Sequence, residues 1–279
     1  MDTSHLTLLK NLCDEAGLGL TQRQLEAFNI FGDLLIERGR HVNLTSILDE
    51  REIIVKHFWD SLTAAVHVKE LTLAIAAAAD ISSPDTDAFH SDSDAIGSDS
   101  DAVGSDSDAV GSAAGAVGSD SGVCGGANKI RLADAGAGAG FPGIPLKILY
   151  GDALAVTFID STRKKVDFIN DAVRILGLSD CAAVHARLED CARGAGFRGA
   201  FGFVTARALA PLPKLLGYCA PLLGRGGILV AMKGRRETAD AETAQAGAQF
   251  AQSGCRLLRT AGLNLPGGGE RTLIVIRKS

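Results

Sequence analysis

Apolar residues recur three and four positions apart along the first part of the chain, and after residue 128 short apolar runs alternating with amphipathic stretches replace them. Thr21 with Gln24 has the form of a capping box ahead of Leu25, Phe28, Phe31, Leu34 and Leu35, which share one helical face. Asp49 with Glu52 starts a second helix whose apolar stripe is Ile53, Ile54, Phe58, Leu62 and Val66. Residues 1–79 are therefore predicted to form a helical domain. Strands are predicted at 130–135, 153–160, 182–185, 201–206, 227–232 and 272–277, with helical patterns between the early ones. One of these places Val166, Ile169, Val173 and Leu176 on one face behind Thr162 as cap. This alternation predicts an α/β domain over 128–279, a mainly parallel sheet covered on both faces, with ligands bound at the carboxyl ends of its strands.

Between the two parts, residues 80–127 repeat with a period of seven: SDSDAIG from Ser91, SDSDAVG from Ser98 and Ser105, then SAAGAVG from Ser112 and SDSGVCG from Ser119. Each copy offers one Ile or Val among Ser, Asp, Ala and Gly, too little for a coiled coil, so a disordered low-complexity insert is predicted. The insert also hides the charge of the rest. The chain carries −5 in all, yet residues 80–121 hold ten of the 33 acids and no Lys or Arg. The remainder has 28 basic against 23 acidic residues, a balance of +5 that suits a polyanionic partner.

With 279 residues, 46% hydrophobic, the chain can bury one core of ordinary size. No run approaches the roughly 18 apolar residues of a membrane span. The start, MDTSHLTLLK, lacks a signal-peptide layout, so no membrane and a cytoplasmic location are expected. The six cysteines include no C-x-x-C pair and no histidine at ligand spacing, which predicts reduced thiols and no metal site.

The densest chemical signal is LADAGAGAGFPGIP at 132–145, where the first predicted strand gives way to a helix. Gly138, Gly140 and Gly143 satisfy the dinucleotide fingerprint G-x-G-x-x-G. A pyrophosphate needs backbone N–H groups at the helix start, however, and Pro142 and Pro145 remove two of them. No Lys-Ser/Thr pair follows, which excludes a P-loop. A ligand without phosphates fits better, and S-adenosylmethionine is the natural candidate. Asp160, ending the second strand, would accept from its ribose hydroxyls. Asp134 would orient the loop, meet the ammonium of the methionine tail, or simply cap the turn.

The run from Asp134 to Pro145 resembles the cofactor loop of the glucose-inhibited division protein B family, guanine-N7 methyltransferases of small-subunit (16S) ribosomal RNA. Further landmarks match in order: Asn43 to Ser46, Lys56 with His57, Asp60 to Leu62, Asp160 with Ser161, Lys164 with Lys165, Arg187 to Glu189, Thr205 to Ala208, Lys233 with Gly234, and Gly269 to Arg271. They span the chain from about residue 20 to its end, apart from the insert. Two features depart from the family pattern. Ala137 stands where Ser or Thr is usual, which removes one possible hydrogen bond. The repeat insert is also foreign to it.

The resemblance implies a class I (Rossmann-like) methyltransferase with a mainly parallel seven-stranded sheet, using S-adenosylmethionine on 16S ribosomal RNA or the small subunit; a monomer is expected, although no residue pattern fixes the oligomeric state. It implies no catalytic acid or base, because N7 carries a lone pair and no proton; in-line positioning then supplies roughly 7–11 kcal/mol of the barrier. Gly136, Gly138 and Phe141 would meet the cofactor from the loop, alongside Asp134 and Asp160, while Leu188 and Glu189 would border its adenine. Arg207 would position the reactants by holding a phosphate or a guanine edge, or it would serve a structural ion pair. Phe141 has a competing role as a core plug. RNA phosphates would be gripped by Arg163, Lys164, Lys165, Lys233, Arg235 and Arg271, with Arg236, Arg277 and Lys278 nearby. Phe58 and Trp59 could stack on a base, but on a helix with apolar neighbours they are read as core. His57 and Asp60 would contact RNA or lock the helical domain to the sheet, and the second role is preferred. Two other functions fit the same residues: a nicotinamide-dependent oxidoreductase, and a ribosome-assembly factor that uses the pocket only structurally.

Overall fold

A computed structural model of the chain describes residues 1–42, 44–68, 71, 73–74, 124–125 and 129–279. The predicted insert therefore lies outside the described residues, except for Cys124–Gly125, which pairs antiparallel with the start of the first long strand.

The first helix, α1 (Thr3–Glu15), is capped by the Asp2 side chain. In α2 (Gln22–Val42) the capping box closes as predicted: Thr21 N donates to Gln24 Oε1 at 2.8 Å and Gln24 N donates to Thr21 Oγ1 at 3.3 Å. Asp49 Oδ1 accepts from Glu52 N at 2.9 Å, starting α3 (Glu50–Ile53). This helix passes through a π-turn (Ile54–Trp59) into α4 (Asp60–His67). The sequence pattern predicts one regular helix here; the π-turn adds a residue to the turn and brings His57, Phe58 and Asp60 to the buried side.

Besides the two-residue strand Cys124–Gly125, seven strands form the sheet: β1 (Lys129–Ala135), β2 (Leu154–Asp160), β3 (Cys181–His185), β4 (Phe201–Arg207), β5 (Leu223–Lys233), β6 (Cys255–Asn264) and β7 (Glu270–Lys278). Their order is β3-β2-β1-β4-β5-β7-β6, parallel except for β7, which runs antiparallel to both neighbours. All six predicted strands form. β6 was not predicted, because it is an edge strand whose Arg256 and Arg259 interrupt the apolar run and whose residues are mostly half-exposed.

Register decides where the chemistry gathers. Asp134 pairs with Thr205, Asp160 with His185, and Arg207 with Met232, so the carboxyl ends of β1, β2, β4 and β5 meet at one edge. The helices α5 (Gly143–Tyr150), α6 (Arg163–Ile175), α7 (Leu188–Arg193), α8 (Leu212–Cys219), α9 (Arg236–Gln245) and α10 (Gly247–Ser253) connect the strands. Thr162 precedes α6 but makes no side-chain cap, contrary to expectation; Asp160 Oδ1 accepts its N–H at 2.8 Å instead.

The helical region and one sheet face share a single apolar cluster, in which Phe28, Phe31, Phe58 and Leu62 meet Leu132, Phe158 and Val230. Phe58 is fully buried and Trp59 is half-buried against the same cluster, as expected of core residues. Gln24 ties α2 to the end of α5 by donating to Ile148 O and Leu149 O at 3.1 and 2.8 Å. No helix among the described residues is long and apolar enough to cross a membrane.

Candidate active site

The glycine loop between β1 and α5 is built by backbone that only glycine adopts without strain. Gly136, Gly138 and Gly140 have φ of +69°, +60° and +92°. A Cβ on Gly140 would lie 2.4 Å from Ile144 Cδ1, and one on Gly143 would lie 2.8 Å from Asp134 Oδ2.

The loop's N–H groups are already committed. Gly136 and Ala137 donate to Ile159 O, Gly140 and Phe141 to Ala137 O, and Ile144 to Gly140 O. Gly138 donates to Asp160 Oδ2 at 3.0 Å and Gly143 to Asp134 Oδ2 at 2.8 Å. A pyrophosphate bound here would find almost none of the donors it needs. The prolines are thus only part of why this loop rejects phosphate.

Asp134 is fully buried, and its Oδ1 also accepts from Thr205 Oγ1 at 3.1 Å. Burial pushes its carboxyl up to about 7, against the opposing pull of these hydrogen bonds and of Arg207. It braces the loop from beneath. Asp160 lies at the cavity side, both its oxygens holding backbone N–H groups, with lone pairs left for a further partner.

A cavity of about 320 Å³ opens beside this loop, with Gly136, Asp160, Lys165, Leu188 and Glu189 among its lining. The Glu189 carboxyl is held below its ordinary range by its own backbone N–H and the Tyr218 hydroxyl. A larger cavity of about 520 Å³ lies over the ends of β4 and β5, lined by Asp60, Arg207, Lys233, Glu242 and Arg271 among others. Ala208 and Leu209 line both cavities, so they form the wall between them. Ala208 has φ +50°, a conformation unusual for a residue with a side chain, and Leu209 lies over Gly136.

Arg207 sits at the wall. It donates to His57 Nδ1 at 2.8 Å, pairs with Asp60 Oδ2 at 3.4 Å and lies over the Phe141 ring at 5.5 Å. Phe141 is 7% exposed and stacks on His57 with ring centroids 4.5 Å apart, so its ring belongs to the core. Burial, then Arg207, drives His57 down to about 3, so the ring is neutral. Since Arg207 only donates, Nδ1 accepts and Nε2–H donates to Thr45 Oγ1 at 2.8 Å. Asp60 also accepts from Arg271 Nε at 3.0 Å. His57 and Asp60 lock the helical region to the sheet, as expected from the sequence.

The expected RNA-binding residues divide. Arg163, Lys164 and Arg235 are exposed, Lys165 is half-buried at the smaller cavity, and Arg163 pairs locally with Asp167. Lys233 and Arg271 instead point into the larger cavity, bound to Glu242 at 2.7 Å and to Asp60. Thr205, Leu209 and Glu242 were not singled out by the sequence. Thr205 lies within a resembling motif, but Glu242 sits in a polar helix where nothing marks it out.

The sheet order and the glycine loop with its two carboxylates define a class I methyltransferase. A family model described as rRNA small subunit methyltransferase G matches residues 123–264. The chain is 32% identical over 265 residues to the Ribosomal RNA small subunit methyltransferase G of Leuconostoc citreum, covering 95% of this chain and 87% of that one. To its namesake in Pelotomaculum thermopropionicum it is 34% identical over 271 residues, covering 97% and 89%. The chain belongs to the rRNA small subunit methyltransferase G family. It is a methyltransferase that uses S-adenosylmethionine. Among solved structures, the geranyl diphosphate C-methyltransferase of Streptomyces coelicolor overlays with a TM-score of 0.43 at 14% identity, covering 54% of this chain and 73% of that one.

Proposed function

We propose that the protein methylates N7 of a guanine in 16S ribosomal RNA, acting in the cytoplasm as a monomer on that RNA or on the small subunit. The observation that carries this reading is the pair of cavities sharing the Ala208–Leu209 wall, one beside the cofactor loop and one lined by Arg207, Lys233 and Arg271 with their partners Asp60 and Glu242.

The residues beside the loop fit S-adenosylmethionine, because the committed N–H groups disfavour phosphate while Asp160 keeps lone pairs for ribose hydroxyls. Gly136 and Gly138 allow close backbone approach, Leu188 and Glu189 border the adenine, and Asp134 holds the loop in shape. When bound, the cofactor supplies an electrophilic methyl group on a sulfonium. Arg207, fixed by His57 and Asp60, orients the incoming nucleotide at the wall. No general base is required, since N7 attacks with its lone pair and loses no proton. The protein's contribution is alignment, worth roughly 7–11 kcal/mol. Arg163, Lys164, Lys165 and Arg235 grip phosphates from outside, while Lys233 and Arg271 act within the larger cavity.

Tritium transfer from labelled S-adenosylmethionine to small-subunit RNA from cells lacking the protein, followed by mapping of N7-methylguanine, tests the reading. Label at N7 of one guanine is expected. Binding to that RNA without label would favour an assembly factor, and label on another atom would overturn the N7 assignment.

A further inference from the structure

We infer that Glu242 and Lys233 form a guanine-reading pair in the larger cavity, with Glu242 accepting from N1–H and the 2-amino group and Lys233 donating to O6. This inference rests on the proposed methylation of guanine N7 and names the residues that select the base.

The two side chains come from the end of β5 and from α9, and both are largely enclosed, with 12% and 19% of their side-chain surfaces exposed. Glu242 Oε2 accepts from Lys233 Nζ at 2.7 Å and from Leu212 N at 2.8 Å. Its Oε1 makes no hydrogen bond among the described residues, and Glu242 lines the cavity. Lys233 Nζ also donates to Ala210 O at 2.5 Å, which leaves one of its three donors free.

The order of these groups matches one base. From Glu242 through Lys233 to Ala210, the next residue is Leu209, in the wall shared with the cofactor cavity. Around a guanine the corresponding order is the 2-amino group, N1–H, O6 and N7. A guanine whose donors meet Glu242 and whose O6 meets Lys233 therefore turns N7 toward the wall. Adenine presents an acceptor at N1 and donors at N6, so it would set like against like at both positions. The cavity, about 520 Å³, is of the size that takes a single small ligand, and reaching it requires the base to leave its stack.

The test uses the full-length protein and 16S RNA assembled with either guanine or inosine, which lacks the 2-amino group, at the mapped position. Wild-type protein should methylate the guanine RNA with a kcat/KM roughly fivefold or more above the inosine RNA. In Glu242→Ala that ratio should fall to within about twofold, while calorimetry shows S-adenosylmethionine affinity unchanged. Glu242→Gln, which keeps an acceptor for Leu212 N, replaces it should the alanine variant fail to fold. Lys233→Met should lower kcat/KM for both RNAs alike. Wild-type indifference to inosine, or a folded Glu242 variant that keeps the full ratio, overturns the inference and leaves the methylation reading intact. Absence of any methyl transfer by the wild type to the guanine RNA overturns the methylation reading, and this inference with it.

Discussion

Arg207, at the carboxyl end of β4, donates to Nδ1 of His57 across the seam between sheet and helical region at 2.8 Å. The bond fixes the ring as the neutral Nε2–H tautomer and holds the guanidinium beside the larger cavity. Asp60, one turn on and 1% exposed, adds its carboxylate to the same guanidinium and to that of Arg271. The helical region thus sets the position of an arginine in the site and contributes Asp60 to the lining of the larger cavity.

Asp60→Ala removes the anion that both arginines share and leaves them unpaired in a partly enclosed place. Breaking such a pair from one side is expected to cost about 2–4 kcal/mol, toward the lower end because Arg207 and Arg271 retain some solvent contact. Chemical denaturation measures this. A loss below about 0.5 kcal/mol would show that the seam is held by its aromatic cluster instead.

Asp160→Ala deprives both Gly138 N and Thr162 N of their acceptor and removes the group assigned to the ribose. S-adenosylmethionine affinity should fall by at least about tenfold, the size of one charge-assisted hydrogen bond lost. Asp160→Asn, which keeps one acceptor, should lie between. Calorimetry with the cofactor distinguishes the three proteins, and equal affinities would remove Asp160 from the site.

Gly138→Ala and Gly140→Ala separate strain from crowding. A Cβ at Gly138 meets open space, so only the φ of +60° opposes it, a cost of about 1 kcal/mol. At Gly140 the Cβ would also strike Ile144 at 2.4 Å, which raises the expected cost to about 2–4 kcal/mol. Urea midpoints should rank Gly138→Ala above Gly140→Ala. The reverse ranking would mean that Ile144 moves aside freely.

Much of this was legible in the sequence, because local rules govern it. The Thr21–Gln24 and Asp49–Glu52 caps, the buried stripe of Phe28, Phe31 and Phe58, and the strands that carry Asp134 and Asp160 each follow from spacing alone. Tertiary partners were not legible. Lys233 and Arg271 look like surface cations along the chain, and only the fold brings Glu242 and Asp60 to them. Phe141 was open between two roles until the π-turn placed His57 against its ring. β6 escaped notice because an edge strand carries no continuous apolar run.

Asp134 and His57 impose opposite pH dependences on stability. Burial raises the Asp134 carboxyl from 3.8 to about 7, so the folded protein holds a proton that the unfolded chain has released; stability is full below about pH 4 and is lost as pH rises toward 7. Burial lowers His57 from 6.5 to about 3, so the unfolded chain takes up a proton that the folded protein refuses; stability is full above about pH 6.5 and is lost as pH falls toward 3. Each effect amounts to at most about 5 kcal/mol, and between roughly pH 4 and 6.5 they offset one another. Asp134→Asn should therefore lose stability on acidification below pH 6.5 more steeply than wild type, and His57→Gln should lose it on going from pH 4 to 7. Denaturation profiles of the three proteins across that range check the sign directly, and profiles that run parallel would mean that neither group is as enclosed in solution as its packing requires.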